Sequence, residues 1–217
     1  MAIIQSAAST DLATVDSTMK AVHLVLKPDE LVGAYQLSAT SGAMTLIAAA
    51  GPVFSFRYAP GTGQVCVVKR VLVAWNTTTG FTTGQAMGYG LYFARAFTAT
   101  DSGGTALAPI IGSSQKYRTN QMITSQVTDA RIPTTAVLTA GTRTLDTQAL
   151  GQVYFYVPTT TAGTHLTNTD LISYDIDDYP LVLQNNEGFV ITNQILMGAA
   201  GVGTLTVNVE WFETNYY

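Results

Sequence analysis

The amino-acid sequence predicts an all-β fold, an antiparallel β-sandwich of jelly-roll type that follows an extended N-terminal arm. Roughly eight or nine short segments are apolar or alternate apolar with polar residues, and Gly, Pro and Asn separate them. Residues that favour strands are abundant, with 33 Thr among 217 residues. We find no credible amphipathic helix. We therefore expect an arm over residues 1–19 and one β-sandwich domain over residues 20–217.

The most regular segment is the C-terminal one, residues 204–213. Its apolar residues all fall on one face: Leu205, Val207, Val209 and Trp211. This pattern predicts a half-buried strand, which we expect in the middle of a sheet because it brings a large Trp to the core. Residues 179–194 before it predict two short strands around a tight turn at Asn185 and Asn186. A glycine-rich loop over residues 198–203 then leads into the last strand.

At the N-terminus, residues 1–19 show no sustained period, which indicates an extended arm. Residues 20–28 alternate and end at Pro28, so they predict the first strand. Further short strands are predicted over residues 33–40, 43–50 and 51–63, arranged as hairpins.

Residues 64–75 form a segment with two apolar faces. The odd positions carry Val65, Val67, Val71, Val73 and Trp75, and the even positions carry Cys66, Val68, Leu72 and Ala74. Such a strand must be covered on both sides. Lys69 and Arg70 interrupt it, and burying either one unpaired would cost several kcal/mol. We expect a β-bulge, a sheet edge or a contact with another subunit at this pair.

Residues 87–97 carry large side chains on one parity and small ones on the other. The large residues, which predict the core face, are Met87, Tyr89, Leu91, Phe93 and Phe97. The small face predicts close approach by another backbone, from an arm or a second subunit. Residues 98–150 predict excursions or short edge strands, residues 152–158 a strand, and residues 164–180 a loop.

Charge and cysteine content exclude several classes of function. The net charge is −4 and the pI about 4.9, without a basic stripe, which argues against a nucleic-acid partner. The single Cys66 excludes an intrachain disulfide and a cysteine zinc cluster. We find no export signal or long apolar helix, so we expect no membrane partner and synthesis in a cytoplasm. Because only 11% of residues are charged, we expect partner subunits to cover part of the surface.

The sequence supports no catalytic residue, cofactor or metal site. His23 lies in a predicted strand and His165 in a predicted loop, and neither has the context of a nucleophile. The acidic cluster could ligate calcium but lacks EF-hand spacing, which favours a solvated or interfacial loop; it comprises Asp170, Asp175, Asp177 and Asp178. Trp75, Trp211 and the tyrosines could form a carbohydrate platform, although their strand positions favour the core.

Several sequence segments carry a resemblance to a known family. They are KAVHLVLKPDELVGAYQLSATSG, VKRVLVAWNTTTGFTTGQ, LYFARAFTATDSGGTAL and YPLVLQNNEGFVITNQILMGAAGVGTLTVNVEWFE. From Lys20 onward the chain resembles small virion structural proteins of tailed double-stranded DNA bacteriophages, of the decoration or cement type. LVLQNNEGFVI followed by the EW strand is the most distinctive segment. The resemblance implies a place in a virion and transfers no catalytic residue.

These observations predict a capsid decoration or cement protein that is not an enzyme. We expect it to self-associate as a homotrimer and to stabilise the shell by binding the major capsid protein or other virion proteins. The alternative is a head-fibre, tail or adsorption component whose loops over residues 98–150 bind host surface glycans. A hydrolase of the cell envelope would need a nucleophile that the sequence does not indicate.

Overall fold

The computed structural model describes residues 31–61, 63–107, 116, 124–174 and 179–215. Within these ranges the chain forms twelve β-strands and no helix. The strands are β1 (Leu31–Thr40), β2 (Pro52–Tyr58), β3 (Val65–Thr79), β4 (Gln85–Arg95), β5 (Thr105–Ala106), β6 (Val127–Ile132), β7 (Thr144–Leu145), β8 (Gly151–Val157), β9 (Gly163–Ser173), β10 (Leu181–Leu183), β11 (Glu187–Asn193) and β12 (Val202–Thr214). The N-terminal arm and the strand predicted over residues 20–28 lie outside the described residues.

The strands form two antiparallel sheets that pack face to face as a β-sandwich, which confirms the predicted fold class. The first sheet has the order β1-β12-β3, and both β9 and β10 pair with the far edge of β3. The second sheet has the order β5-β6-β2-β11-β4, and both β7 and β8 pair with β4. One hydrophobic core fills the space between the sheets.

Consecutive strands lie in opposite sheets through most of the chain. The connections β1–β2, β2–β3, β3–β4, β8–β9, β10–β11 and β11–β12 all cross the sandwich. The predicted hairpins are therefore wrong. The turn at Asn185 and Asn186 is present, with Asn186 at a φ of 62°, but β10 and β11 on either side of it belong to different sheets. The alternation of apolar and polar residues predicts which face of a strand is buried. It does not predict which strand lies beside it in the sheet.

The last strand, β12, lies in the middle of the first sheet, as predicted. It pairs with β1 on one side and β3 on the other. Its predicted apolar residues Leu205, Val207, Val209 and Trp211 are all buried. The Trp211 ring stacks on Tyr35 and meets the edge of Phe56 from the opposite sheet, with ring centroids 5.6 and 5.2 Å apart. The strand therefore joins the two layers at this end of the core.

Of the three alternatives given for Lys69 and Arg70, the structure shows the β-bulge. Arg70 pairs with Glu210 and Val68 with Trp211, so Lys69 is the extra residue on β3. The bulge reverses the parity of the strand, so that the core residues are even before it and odd after it: Cys66, Val68, Val71, Val73 and Trp75. The two-faced apolar pattern arises in part from this switch, and the prediction that Val67 shares a face with Val71 is wrong.

On β4, the predicted core face holds for Met87, Tyr89, Leu91 and Phe93. The prediction is wrong for Phe97, which belongs to a separate cluster with Ala94 and Val190. The chain changes direction at Ala96, which has a φ of 48°, so the alternation does not continue to residue 97.

Three further predictions concern the loops. Residues 98–150 contain the short strands β5, β6 and β7, as predicted. Residues 43–50 are not a strand; they form a loop with a single bridge from Met44 to Gly203. Residues 164–173 were predicted as a loop and instead form most of β9, an edge strand that exposes its polar residues.

Candidate functional site

Four of the connections at one end of the sandwich carry no charged residue. These connections, which we call the neutral end, are residues 41–51, 80–84, 158–162 and 194–201, and none contains Asp, Glu, Lys or Arg. The topology gathers them because β1, β3, β8 and β11 all finish at this end. Sequence inspection missed the feature since the four segments are far apart along the chain.

Backbone contacts join the four connections into one continuous surface. Met197 N–H donates to Ile47 O at 2.9 Å, which links residues 194–201 to residues 41–51. Phe81 is buried against Gly201, where a Cβ would approach the ring to 2.1 Å. Thr160 N–H donates to Phe81 O at 2.7 Å and brings in residues 158–162. A partner could therefore cover all four connections at once.

The neutral end exposes apolar side chains beside threonines. Leu46 is 58% exposed and Leu196 63% exposed. Further exposed residues are Ala48, Ala49, Ala50, Thr82, Thr83, Ala199 and Ala200. Leu46 and Ala50 have φ values of 51° and 57°, in the left-handed region that favours glycine. Such a backbone costs on the order of 1 to 3 kcal/mol per residue and occurs most often at functional surfaces.

Asn193, at the end of β11, fixes the shape of the apolar part of this surface. Its buried side-chain amide Nδ2 donates to the carbonyl oxygens of Ile47, Ala48 and Ile195, at 3.2, 3.3 and 2.5 Å. The backbone of Asn193 also accepts a hydrogen bond from Ala50 N–H at 2.7 Å. One side chain thus holds two loops that come from distant parts of the sequence.

A second surface, the tyrosine face, lies on the outer side of β8 near the neutral end. It consists of Gln152, Tyr154 and Tyr156, all exposed, on β8, and of Gly88 and Gly90 opposite them on β4. Tyr154 and Tyr156 are 57% and 62% exposed. Neither β8 nor residues 84–94 contain a charged residue.

Two glycines, Gly88 in β4 and Gly84 just before it, leave room for the two tyrosine rings. A Cβ at Gly88 would approach the Tyr154 ring to 2.5 Å, and one at Gly84 would approach the Tyr156 hydroxyl to 2.2 Å. The rings therefore lie against the backbone of β4. The small face of β4 is covered here by side chains of the same chain, whereas the sequence predicted an arm or another subunit.

The residues singled out as candidate chemistry lie apart. Asp170 pairs with Arg70, whose Nε is 2.6 Å from Asp170 Oδ1. This ion pair gives a partner to Arg70, one of the two cations at the bulge, whereas the other cation, Lys69, is exposed. Asp175, Asp177, Asp178 and His23 lie outside the described residues. His165 is partly buried on β9, with its Nε2 3.4 Å from Thr161 O.

Both tryptophans belong to the core, as their strand positions predict. Trp75 and Trp211 are 0% and 2% exposed, so neither contributes to a carbohydrate platform. Within the ranges that the structure describes, no three His, Cys, Asp or Glu residues are grouped so that they could hold a metal ion. The described residues also include no helix that is long and apolar enough to cross a membrane.

Glu213 is a buried acid that sequence inspection missed. Its carboxylate accepts hydrogen bonds from Ser125 Oγ at 2.6 Å, from the backbone N–H of Gln126 at 2.9 Å and from Trp211 Nε1 at 3.2 Å. Burial raises the pKa of this carboxyl, and the three donors partly offset the rise. The alternation of β12 contained the signal, because Glu213 continues the inward parity of Trp211.

Arg143 and Asp101 form a buried ion pair within the excursion between β4 and β8. Their side chains are 4% and 0% exposed. Arg143 also lies over the Phe97 ring, 5.2 Å from its centroid, and burial lowers its pKa to about 10. Asp101 Oδ1 accepts a hydrogen bond from Gly141 N–H at 2.9 Å. The pair ties the two parts of the excursion together, and both side chains are shielded from solvent.

A polar groove of about 440 Å³ crosses the outer side of the first sheet. Its lining residues are Gln36, Leu37, Ser38, Leu72, Asn168, Asn208, Val209 and Glu210. Glu210 is the one ionisable group among them, so the groove does not pair an acid with a base.

Comparison with known proteins finds no match, whether among protein-family models, curated proteins or solved structures. The neutral end and the tyrosine face therefore carry the functional argument.

Proposed function

We propose that the protein is a bacteriophage virion structural protein, a capsid decoration or cement protein that self-associates and binds the major capsid shell. The observation that carries this proposal is the neutral end, residues 41–51, 80–84, 158–162 and 194–201. Its mechanism is mass action, because a protein that binds the closed shell and not the opened one stabilises the closed shell.

The chemistry of the neutral end suits a protein partner. Burial of exposed leucine and alanine removes apolar surface from water, which contributes roughly 25 cal/mol per Å². No charge would have to be desolvated, which avoids the main cost of burying a polar surface. Asn193 holds the apolar loops in place before binding, so less conformational entropy is lost on association.

The strand order also supports a virion role. The eight longer strands β1, β2, β3, β4, β8, β9, β11 and β12 form two sheets in the orders β1-β12-β3-β9 and β2-β11-β4-β8. We interpret this order as the jelly roll predicted from the sequence, an architecture of viral capsid and lectin domains. Because one fold hosts many functions, this likeness is secondary to the surface.

The test is binding of the purified protein to assembled shells that lack it. We expect the wild-type protein to cosediment with shells and to raise the temperature at which they open. A double variant Leu46→Asp and Leu196→Asp should lose both effects, since it places charges in the apolar contact. Leu150→Asp is the matched control, because Leu150 is 44% exposed in the connection between β7 and β8, outside the neutral end. Equal binding by the double variant and the control would refute the proposal.

Self-association is tested separately by mass photometry. We expect a homotrimer for the wild-type protein and for Leu150→Asp. A monomer at micromolar protein concentration would contradict the trimer without touching the shell-binding result.

The second candidate function is a head-fibre, tail or adsorption component that binds host surface glycans. The specific observation in its favour is the pair of exposed tyrosines, Tyr154 and Tyr156, on the outer side of β8. Sequence inspection placed such a site in residues 98–150, and the tyrosine face lies just beyond them. A glycan array probed with the isolated protein tests this candidate.

A further inference from the structure

The tyrosine face has the geometry of a platform for a flat, uncharged ligand. Tyr154 and Tyr156 are alternate residues of one strand, so their side chains project from the same side of the sheet. Gly88 and Gly84 let the rings lie against the start of β4, and each tyrosine remains more than half exposed to solvent. Tyrosine has few rotatable bonds, so ordering such a surface costs little entropy.

Hydrogen-bonding groups flank the platform on both sides. The Gln152 side chain is exposed on β8, and its Oε1 lies 3.5 Å from the Tyr154 hydroxyl. Across β4, the Gln194 amide is fixed over Gly90: its Nε2 donates to Thr192 Oγ1 at 2.7 Å, and its Oε1 accepts from the Tyr92 hydroxyl at 3.1 Å. Amides and hydroxyls next to an aromatic ring match the hydroxyls and the apolar C–H face of a pyranose.

The charge of the surface selects the class of saccharide. Neither β8 nor residues 84–94 contain Lys or Arg, so these two segments offer no cation to an acidic sugar. Arg95, at the far end of β4, is already paired with Asp146 at 2.8 Å. A neutral saccharide would lose no charge hydration on binding and is the better match.

We propose that the tyrosine face binds a neutral polysaccharide, with pyranose rings stacked on Tyr154 and Tyr156 and their hydroxyls bonded by Gln152. The inference rests on the second candidate function, for which it names the site and the ligand class. Shell binding through the neutral end is independent of it.

The experiment is native affinity electrophoresis of the full chain. The gels contain a neutral β-glucan, galactan or mannan, or the anionic alginate or polygalacturonate. We expect retardation by at least one neutral polysaccharide and none by the anionic ones. Tyr154→Ala and Tyr156→Ala should each weaken binding by about tenfold, the size of effect that loss of one stacked ring produces. Tyr154→Phe and Tyr156→Phe should keep most of the affinity, because the ring remains.

Tyr179→Ala is the matched control, since Tyr179 is 98% exposed and lies outside the tyrosine face. Its retardation and the melting temperatures of all variants should equal those of the wild-type protein. Gly88→Ala keeps both tyrosines and displaces the Tyr154 ring, so it should weaken binding if ring placement matters. Absence of retardation by every polysaccharide would overturn both the inference and the second candidate function. Retardation by anionic polysaccharides alone, or equal retardation of the alanine variants, would overturn the inference and leave that candidate standing.

Discussion

Asn193 shows how one polar residue can shape a surface that the sequence presents as two unrelated apolar loops. Its amide nitrogen donates to three backbone carbonyls, and no residue that the structure describes donates a hydrogen bond to its buried Oδ1. Residue 193 must therefore carry a hydrogen-bond donor on the side that faces the three carbonyl oxygens. Nothing in the sequence indicates this role, because an Asn after an apolar segment is equally typical of a strand end.

We predict that Asn193→Asp destabilises the protein by about 3 to 5 kcal/mol at neutral pH, since a buried carboxylate would face three carbonyl oxygens without a donor. Urea denaturation followed by tryptophan fluorescence measures the change. Asn185→Asp is the control: Asn185 is exposed, and its Oδ1 accepts from Gly61 N–H, which a carboxylate can also do. Its effect should stay within about 0.5 kcal/mol. Equal stability of the two variants would contradict the role given to Asn193.

Glu213 is the second residue whose environment decides its behaviour. Because burial raises its pKa in the folded state, the folded protein binds a proton more readily than the unfolded chain. Its contribution to stability is therefore complete below the unfolded pKa and is lost as the pH rises through the folded pKa.

We predict that the stability advantage of the wild-type protein over Glu213→Gln decreases from pH 4 towards pH 7. Each unit by which the folded pKa is raised corresponds to about 1.4 kcal/mol of this decrease. Urea denaturation of both proteins across that range measures it, and comparison with the variant removes the titration of other acids. A difference that stays constant or grows with pH would refute the assignment.

At the scale of elements, β12 and the bulge in β3 organise the first sheet. The extra residue Lys69 turns the side chains of β3 by one position, so that both halves of a long strand face the same core. The charged pair in an apolar segment was enough to indicate an irregularity there, with a bulge as one of three alternatives. The effect of the bulge on Val65 and Val67 was not indicated, because a register shift becomes visible only against the partner strand.

We predict that Trp211→Ala lowers the free energy of unfolding by about 3 to 5 kcal/mol, because it leaves a cavity between the sheets. It also removes the hydrogen bond from Trp211 Nε1 to Glu213. Equilibrium denaturation measures the loss. Phe212→Ala, a partly buried neighbour outside the core cluster, should cost clearly less. Unchanged stability with impaired shell binding would instead make Trp211 an interface residue.

At the scale of the whole molecule, four connections that are distant in the chain meet at one end of the sandwich, and none of the four contains a charged residue. An interface formed by this end would be held by apolar burial, which salt does not screen.

We predict that shell binding depends weakly on ionic strength, with a dissociation constant that changes by less than about threefold between 0.05 and 0.5 M NaCl. Cosedimentation with shells at the two salt concentrations measures it. Sodium sulfate, which favours apolar burial, should strengthen the binding. Release from the shells in 0.5 M NaCl would show that charges outside the neutral end hold the protein on the shell.

The sequence by itself determined the all-β class, the sandwich and the inward face of β12, and it indicated an irregularity at Lys69 and Arg70, because alternation and a charged pair in an apolar segment are local signals. Only the tertiary structure decided that neighbouring strands lie in opposite sheets and that β9 is a strand. The hydrogen bonds between strands join backbone groups, so the side chains of a strand do not identify its partner. It also decided that the four uncharged connections form one surface and that Tyr154 and Tyr156 are the exposed aromatic pair. Both features depend on which distant segments the chain crossings bring together.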